Sequence, residues 1–189
     1  MAETVILASG TGSNFAHIAD ELAGSAHQVR MLVTDRPDAA VRQKAQARGI
    51  PDICVPYADR SRNQSEQEII RTIATPDLVV LAGFMRLLSP EFVRHYSGRI
   101  INIHPSMLPA YPGLHAIERS WADSSVEMGI TIHYVDEGMD TGPIIEQHRL
   151  NRSGLGNCEE AERAIHELEH RYYPACVRRL LDNTHRKDT

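Results

Sequence analysis

Leu78-Val79-Val80-Leu81 is an unbroken apolar run set between Asp77 and Gly83. A strand with one face in water alternates apolar and polar residues, whereas a strand covered by helices on both faces is apolar throughout. The run therefore calls for a parallel sheet held between helix layers. The neighbouring segments supply one. Residues 4–9 read as a strand, after which Phe15, Ile18, Ala19 and Leu22 fall at helical spacing. The same strand-turn-helix unit recurs as residues 28–35 with 37–49, and as residues 53–57 with 61–74, where Ile69, Ile70 and Ile73 form one apolar stripe.

Beyond the central run, residues 89–96 read as a short helix and residues 99–104 as a fifth strand, ended by Pro105, which has no hydrogen to give a ladder. A proline-punctuated loop, 107–113, leads to a helix near 115–122. Residues 128–135 and 143–150 then read as two strands joined by the 136–142 loop, which predicts an antiparallel edge. Residues 158–170 are helical, with Ala161, Ala164, Ile165 and Leu168 inward and His166 and Glu169 as neighbours on another face. Pro174 is expected to begin or kink a last helix, and residues 183–189, without an apolar anchor, to fray. The fold expected is α/β and Rossmann-like, a mostly parallel twisted sheet flanked by helices with an antiparallel C-terminal edge. A length of 189 residues fits one domain, 1–189.

Composition narrows the function classes. A net charge of −5 gives no overall basic field for nucleic acid, and the expected partners are small molecules. No apolar stretch has the length of a membrane span, and Met1-Ala2-Glu3-Thr4 lacks the basic start of an export signal, so a cytoplasmic protein without membrane contact is expected. Cys54, Cys158 and Cys176 are odd in number and widely spaced, which reads as reduced structural thiols.

Chemistry concentrates in two places. Asn102 and His104 share one face of the fifth strand near its carboxyl end, where ligands bind in open α/β sheets. An amide donor beside a titratable base suits acyl-type transfer, and Asp140, in the loop 136–142, would orient and charge the ring if the fold brings it there. The plainer alternative is a satisfied core histidine and a turn aspartate. His104, His115, His133 and Asp140 also form a conceivable metal set, but without tight ligand spacing no metal is expected. The second place is Gly10-Thr11-Gly12-Ser13-Asn14, a strand-to-helix turn where free amides favour an anion. Phe15 stands where a dinucleotide fingerprint has its third glycine, so a monophosphate fits better than a pyrophosphate. The alternative is a helix capped by Ser13 or Asn14. Met85, Leu87 and Leu88 offer either an apolar slot for a heteroaromatic ring or core packing, and Arg62 and Arg86 could each meet a carboxylate.

Together these pieces resemble the phosphoribosylglycinamide formyltransferases, the folate-dependent enzymes of purine synthesis. The resemblance is carried in order by residues 8–14, 76–86, 102–109, 111–113, 133–143 and Glu169-His170. It implies that Asn102, His104 and Asp140 are the catalytic set. It further implies that Gly12, Ser13 and Asn14 bind the ribonucleotide phosphate with His166 nearby, and that Glu169 holds the nucleotide. The formyl donor, 10-formyltetrahydrofolate, would be received by Arg62, Met85, Arg86, Leu87, Leu88 and the loop around Asp136. A monomer or homodimer is expected. Methionyl-tRNA formyltransferases, formyltetrahydrofolate deformylases and sugar-amine formyltransferases share parts of the pattern. The first two normally carry a further domain for which this length leaves no room. A nucleotide-binding oxidoreductase, or a silent binding module, would account for the glycine turn alone.

Overall fold

The computed structural model describes residues 1–123 and 127–185. Three strand-turn-helix units open the chain: β1 (Ala2–Leu7) with α1 (Ser13–Leu22), β2 (His27–Thr34) with α2 (Val41–Gln46), and β3 (Asp52–Cys54) with α3 (Arg62–Ile73). They are followed by β4 (Leu78–Leu81), α4 (Pro90–His95), β5 (Ile100–His104), α5 (Ala116–Ala122), β6 (Met128–Tyr134), β7 (Ile144–Leu150) and α6 (Cys158–His185). The strands form a seven-stranded sheet in the order β3-β2-β1-β4-β5-β6-β7. Pairing is parallel from β3 to β5 and antiparallel from β5 to β7, as the sequence predicts.

The central apolar run behaves as its pattern requires. Leu78 and Val80 enter one core with Ile6, Phe15, Ile18, Ile165 and Val177, while Val79 and Leu81 enter the other with Val5, Leu7, Ile69, Ile73 and Phe92. One sheet thus divides two hydrophobic layers, α1 and α6 on one side and α3 and α4 on the other. The order reverses direction between β1 and β4. That switch point leaves a crevice at the carboxyl ends of the strands, the place where open α/β sheets accept ligands.

Two boundaries differ from expectation. β3 stops at Cys54, with only the Val55 amide continuing the pairing at 2.8 Å to Thr34 O, because Pro56 has no hydrogen to donate. More substantially, no separate last helix begins at Pro174: α6 runs for 28 residues with Pro174 inside it. Proline in a helix interior costs about 3 kcal/mol. Burial of Ile165, Tyr173, Cys176, Val177 and Leu181 on both sides of Pro174 holds the helix against that cost. The Tyr173 hydroxyl, wholly buried, also ties α6 to the sheet by donating to Leu81 O at 2.9 Å, with Ile101 O at 3.3 Å. Residues 183–185, expected to fray, belong to this helix, while 186–189 lie outside the described residues.

Candidate active site

β5 alternates as its sequence predicts: Ile101 and Ile103 enter the α6-side core, so Asn102 and His104 face the opposite side at the carboxyl end. Antiparallel pairing with β6 sets His133 opposite Asn102. The β6–β7 loop then brings Asp140, with a φ of 55°, over both histidines. Asp140 Oδ2 lies 3.3 Å from His104 Nδ1 and accepts the Gly113 amide at 2.8 Å, while Oδ1 lies 3.6 Å from His133 Nε2. On its other nitrogen, His104 Nε2 is 2.8 Å from Tyr111 O. A carbonyl only accepts, so Nε2 carries a hydrogen, and both ring nitrogens face acceptors.

His133 is a member of this group that sequence reasoning considered only as a metal ligand. It is 2% exposed, and burial pushes its pKa below the ordinary histidine range. Its Nδ1 donates to Tyr134 O at 2.9 Å, which leaves the Nε2 lone pair facing the Asn102 amide nitrogen at 3.4 Å. His115, the other histidine of the conceivable metal set, is 75% exposed at its side chain and lies 3.4 Å from Glu118. Among the described residues no cluster of three His, Cys, Asp or Glu side chains has the arrangement of a metal site.

These groups open into a cavity of about 600 Å³, within the usual size range of small-molecule sites. Met85, Arg86, Leu87, Leu88 and Asp136, which the resemblance assigns to the donor, line it, and so do Gly113, Leu114, His115 and Ala116, to which the sequence reading gave no part in donor binding. Its mouth is rimmed by Met85, Leu87, Leu114 and Met139, all exposed. Asp136 braces the β6–β7 loop, accepting Gly138 N at 3.0 Å and Thr141 Oγ1 at 2.8 Å. Gly142 closes that loop so tightly that a Cβ there would sit 1.8 Å from Tyr134 O. Arg62, the first residue of α3, is exposed and does not line the cavity.

The second cluster forms where β1 gives way to α1. Gly12 is the N-cap, in the left-handed region at φ 73°, with no side-chain cap, so the alternative in which Ser13 or Asn14 caps the helix does not hold. A Cβ on Gly12 would lie 2.3 Å from Val41 Cγ2, so only glycine fits this turn. Asn14 Nδ2 donates to Glu169 Oε2 at 2.9 Å, and His166 Nδ1 reaches the same oxygen at 3.1 Å. That hydrogen bond lifts the His166 pKa above the ordinary range. Glu169 is only 6% exposed, although the helical pattern had put it off the inward face. Behind it His170 stacks on His17 at 4.1 Å, and burial and then His17 push the His170 pKa down.

Comparison with known proteins gives this arrangement its family. Residues 2–177 match the formyl transferase family. The chain is 40% identical to a phosphoribosylglycinamide formyltransferase of Bacillus subtilis, covering 96% of this chain and 95% of that one, and 37% identical to the Escherichia coli enzyme of the same name, covering 94% and 86%. Among solved structures, glycinamide ribonucleotide transformylase 1 of Geobacillus kaustophilus superposes with a TM-score of 0.90 at 40% identity, over 96% of this chain and 99% of that one. With the fold, the site and this similarity in agreement over nearly its whole length, the chain belongs to the formyl transferase family, among the phosphoribosylglycinamide formyltransferases.

Proposed function

We propose that the protein transfers the formyl group of 10-formyltetrahydrofolate to the amine of glycinamide ribonucleotide, a step of purine synthesis, with Asn102, His104 and Asp140 as catalytic residues. The observation that carries this reading is the Asp140 carboxylate set between two histidines, beside the Asn102 amide and at the floor of a ligand-sized cavity. The apolar walls from Leu87, Leu88, Val93 and Val135 suit the flat ring system of the donor, while Arg62, at the exposed start of α3, is assigned to its glutamate. Gly12, Ser13 and Asn14 present uncapped helix amides to the ribonucleotide phosphate, with Glu169 and His166 holding the nucleotide beside them.

An α-amine has a pKa of about 8, so a useful fraction is neutral near neutral pH and attacks the formyl carbon. As the new C–N bond forms, negative charge gathers on the formyl oxygen. Asn102 donates one amide hydrogen to it, and the His104 Nε2 hydrogen, held by Tyr111 O before substrate enters, turns to it as the second donor. Asp140 stabilises the positive imidazole ring through Nδ1. Collapse restores the carbonyl and breaks the bond to the folate nitrogen. That nitrogen takes up the proton lost by the amine, with His104 assisting its passage. All of these groups come from one chain, so each protomer of a monomer or homodimer is a complete catalyst. Three free cysteines support a reducing, cytoplasmic setting.

The test is incubation of the protein with glycinamide ribonucleotide and 10-formyltetrahydrofolate, following product mass, with amine-free and His104→Ala controls. Formylation that requires the amine and collapses in the variant is expected. Donor breakdown indifferent to the amine would instead mark a deformylase and overturn the proposal.

A further inference from the structure

Residues 83–88 line the cavity between β4 and α4, and together with Ser89 they contain neither helix nor strand. A loop of that kind keeps one shape only if something outside it holds it. Three groups from three different parts of the chain do so. Ser9 Oγ, after β1, accepts the Met85 amide at 2.8 Å. Asp35 Oδ2, after β2, accepts Arg86 Nε at 2.6 Å. Glu66, on α3, accepts the Ser89 amide at 2.9 Å through Oε1 and the Ser89 hydroxyl through Oε2. Ser9, Asp35 and Glu66 are 2%, 4% and 2% exposed.

Two carboxylates buried under one loop are costly unless that loop satisfies them. Asp35 is the sharper case. Its second oxygen, Oδ1, is buried without a hydrogen-bond partner among the described residues, which leaves the charge to be answered chiefly by Arg86. The Arg86 guanidinium also lies over the Tyr57 ring, 5.2 Å from its centroid, and Tyr57 packs edge-on against Phe84 at 6.3 Å. Arg86 is therefore fixed from below by a charge and from the side by a ring. Asp35 engages the Nε of this guanidinium, and the Arg86 side chain stays 44% exposed where it lines the cavity.

We propose that Asp35 is a positioning residue for the formyl-donor site: acting through Arg86, and together with Ser9 and Glu66, it fixes the course of residues 83–89 and hence the wall against which the donor lies. The inference rests on the proposed formyl transfer.

Asp35→Asn keeps the size of the side chain and removes its charge. In this variant KM for 10-formyltetrahydrofolate is expected to rise on the order of ten-fold, with kcat and KM for glycinamide ribonucleotide within about two-fold of the parent. Unchanged or tighter donor binding would overturn the proposal. In Asp35→Asn the rise should appear also with 10-formyltetrahydropteroate, which lacks the glutamate tail; a loss confined to the tailed donor would overturn the proposal, because it would place the effect on the Arg86 side chain and not on the wall. Hydrogen exchange supplies a readout that needs no turnover. Amides 84–88 of Asp35→Asn should exchange about ten-fold faster while those of α1 and α6 keep the parent rate. Unchanged exchange at 84–88, or a uniform increase along the chain, would contradict the proposal. A parent protein without formyl transfer would fail the function reading, and the exchange result would still decide whether Asp35 holds this loop.

Discussion

Asn102 has two amide hydrogens, and the fold allocates one of them. Neutral His133 receives it at Nε2, which aims the other into the cavity. Removal of one preorganised donor to a developing oxyanion typically costs a factor of about 100 to 1000 in turnover. Asn102→Ala is expected to lose that much in kcat with little change in KM, and steady-state kinetics near the parent value would count against the assignment. The pairing of Asn102 with His104 is legible in the sequence because alternate residues of a strand share a face. The part played by His133 is not, since it depends on a cross-strand register, Asn102 against His133, that the intervening loops decide. His166 carries a pH consequence. Its pKa is raised in the folded chain by the bond to Glu169, so folding binds its proton more tightly. The resulting stabilisation is complete below the unfolded value of about 6.5 and fades as pH climbs through the higher folded value. Thermal midpoints of the parent and His166→Gln should differ most near about pH 5.5 and converge near about pH 8.5; an equal gap at both would refute the linkage.

At the scale of elements, the β6–β7 loop leaves little room for change. A methyl group at Gly142 would collide with Tyr134 O, 1.8 Å away, and the loop would have to shift. Asp140, two residues earlier, would move off His104. Gly142→Ala is therefore expected to cost about 1–3 kcal/mol of stability and to lower kcat by a larger factor than it raises KM for glycinamide ribonucleotide. Denaturant melts and kinetics on the same sample would separate the two effects. Sequence periodicity found this loop and both strands, because alternation and glycine punctuation are local signals. It ended one helix at His170 and had Pro174 begin or kink another, where α6 runs unbroken through both. Tyr173, Cys176 and Val177 override that signal by packing, and packing partners far away in the chain leave no mark on the residues nearby.

Over the whole molecule, stability and chemistry are spatially divided. The two core layers lie along the faces of the sheet, while the reactive groups gather beyond the carboxyl ends of its parallel strands. Leu181, fully buried near the end of α6, belongs to the first category. Leu181→Ala should cost about 2–5 kcal/mol in unfolding free energy, and kcat and both KM values should stay at the parent level well below the melting point. Changed kinetics would show that the far end of α6 is coupled to the site. The layered architecture was legible because Leu78 to Leu81 admits no other environment. The strand order that places the switch point between β1 and β4 was not, since no single segment encodes its neighbours.

Tyr173 gives this division one point of crossing. Its hydroxyl is tied to the carbonyls of Leu81, the last residue of β4, and Ile101, near the start of β5, and one helical turn earlier Glu169 grips Asn14 beside the Gly12 turn. In the proposed reaction, the span from phosphate anchor to transferring carbon runs alongside this rigid turn of backbone. The helix serves as a ruler. An acceptor amine whose linker to its phosphate is one bond too short or too long would arrive out of register with the formyl carbon, and choice among amines becomes a measurement of length.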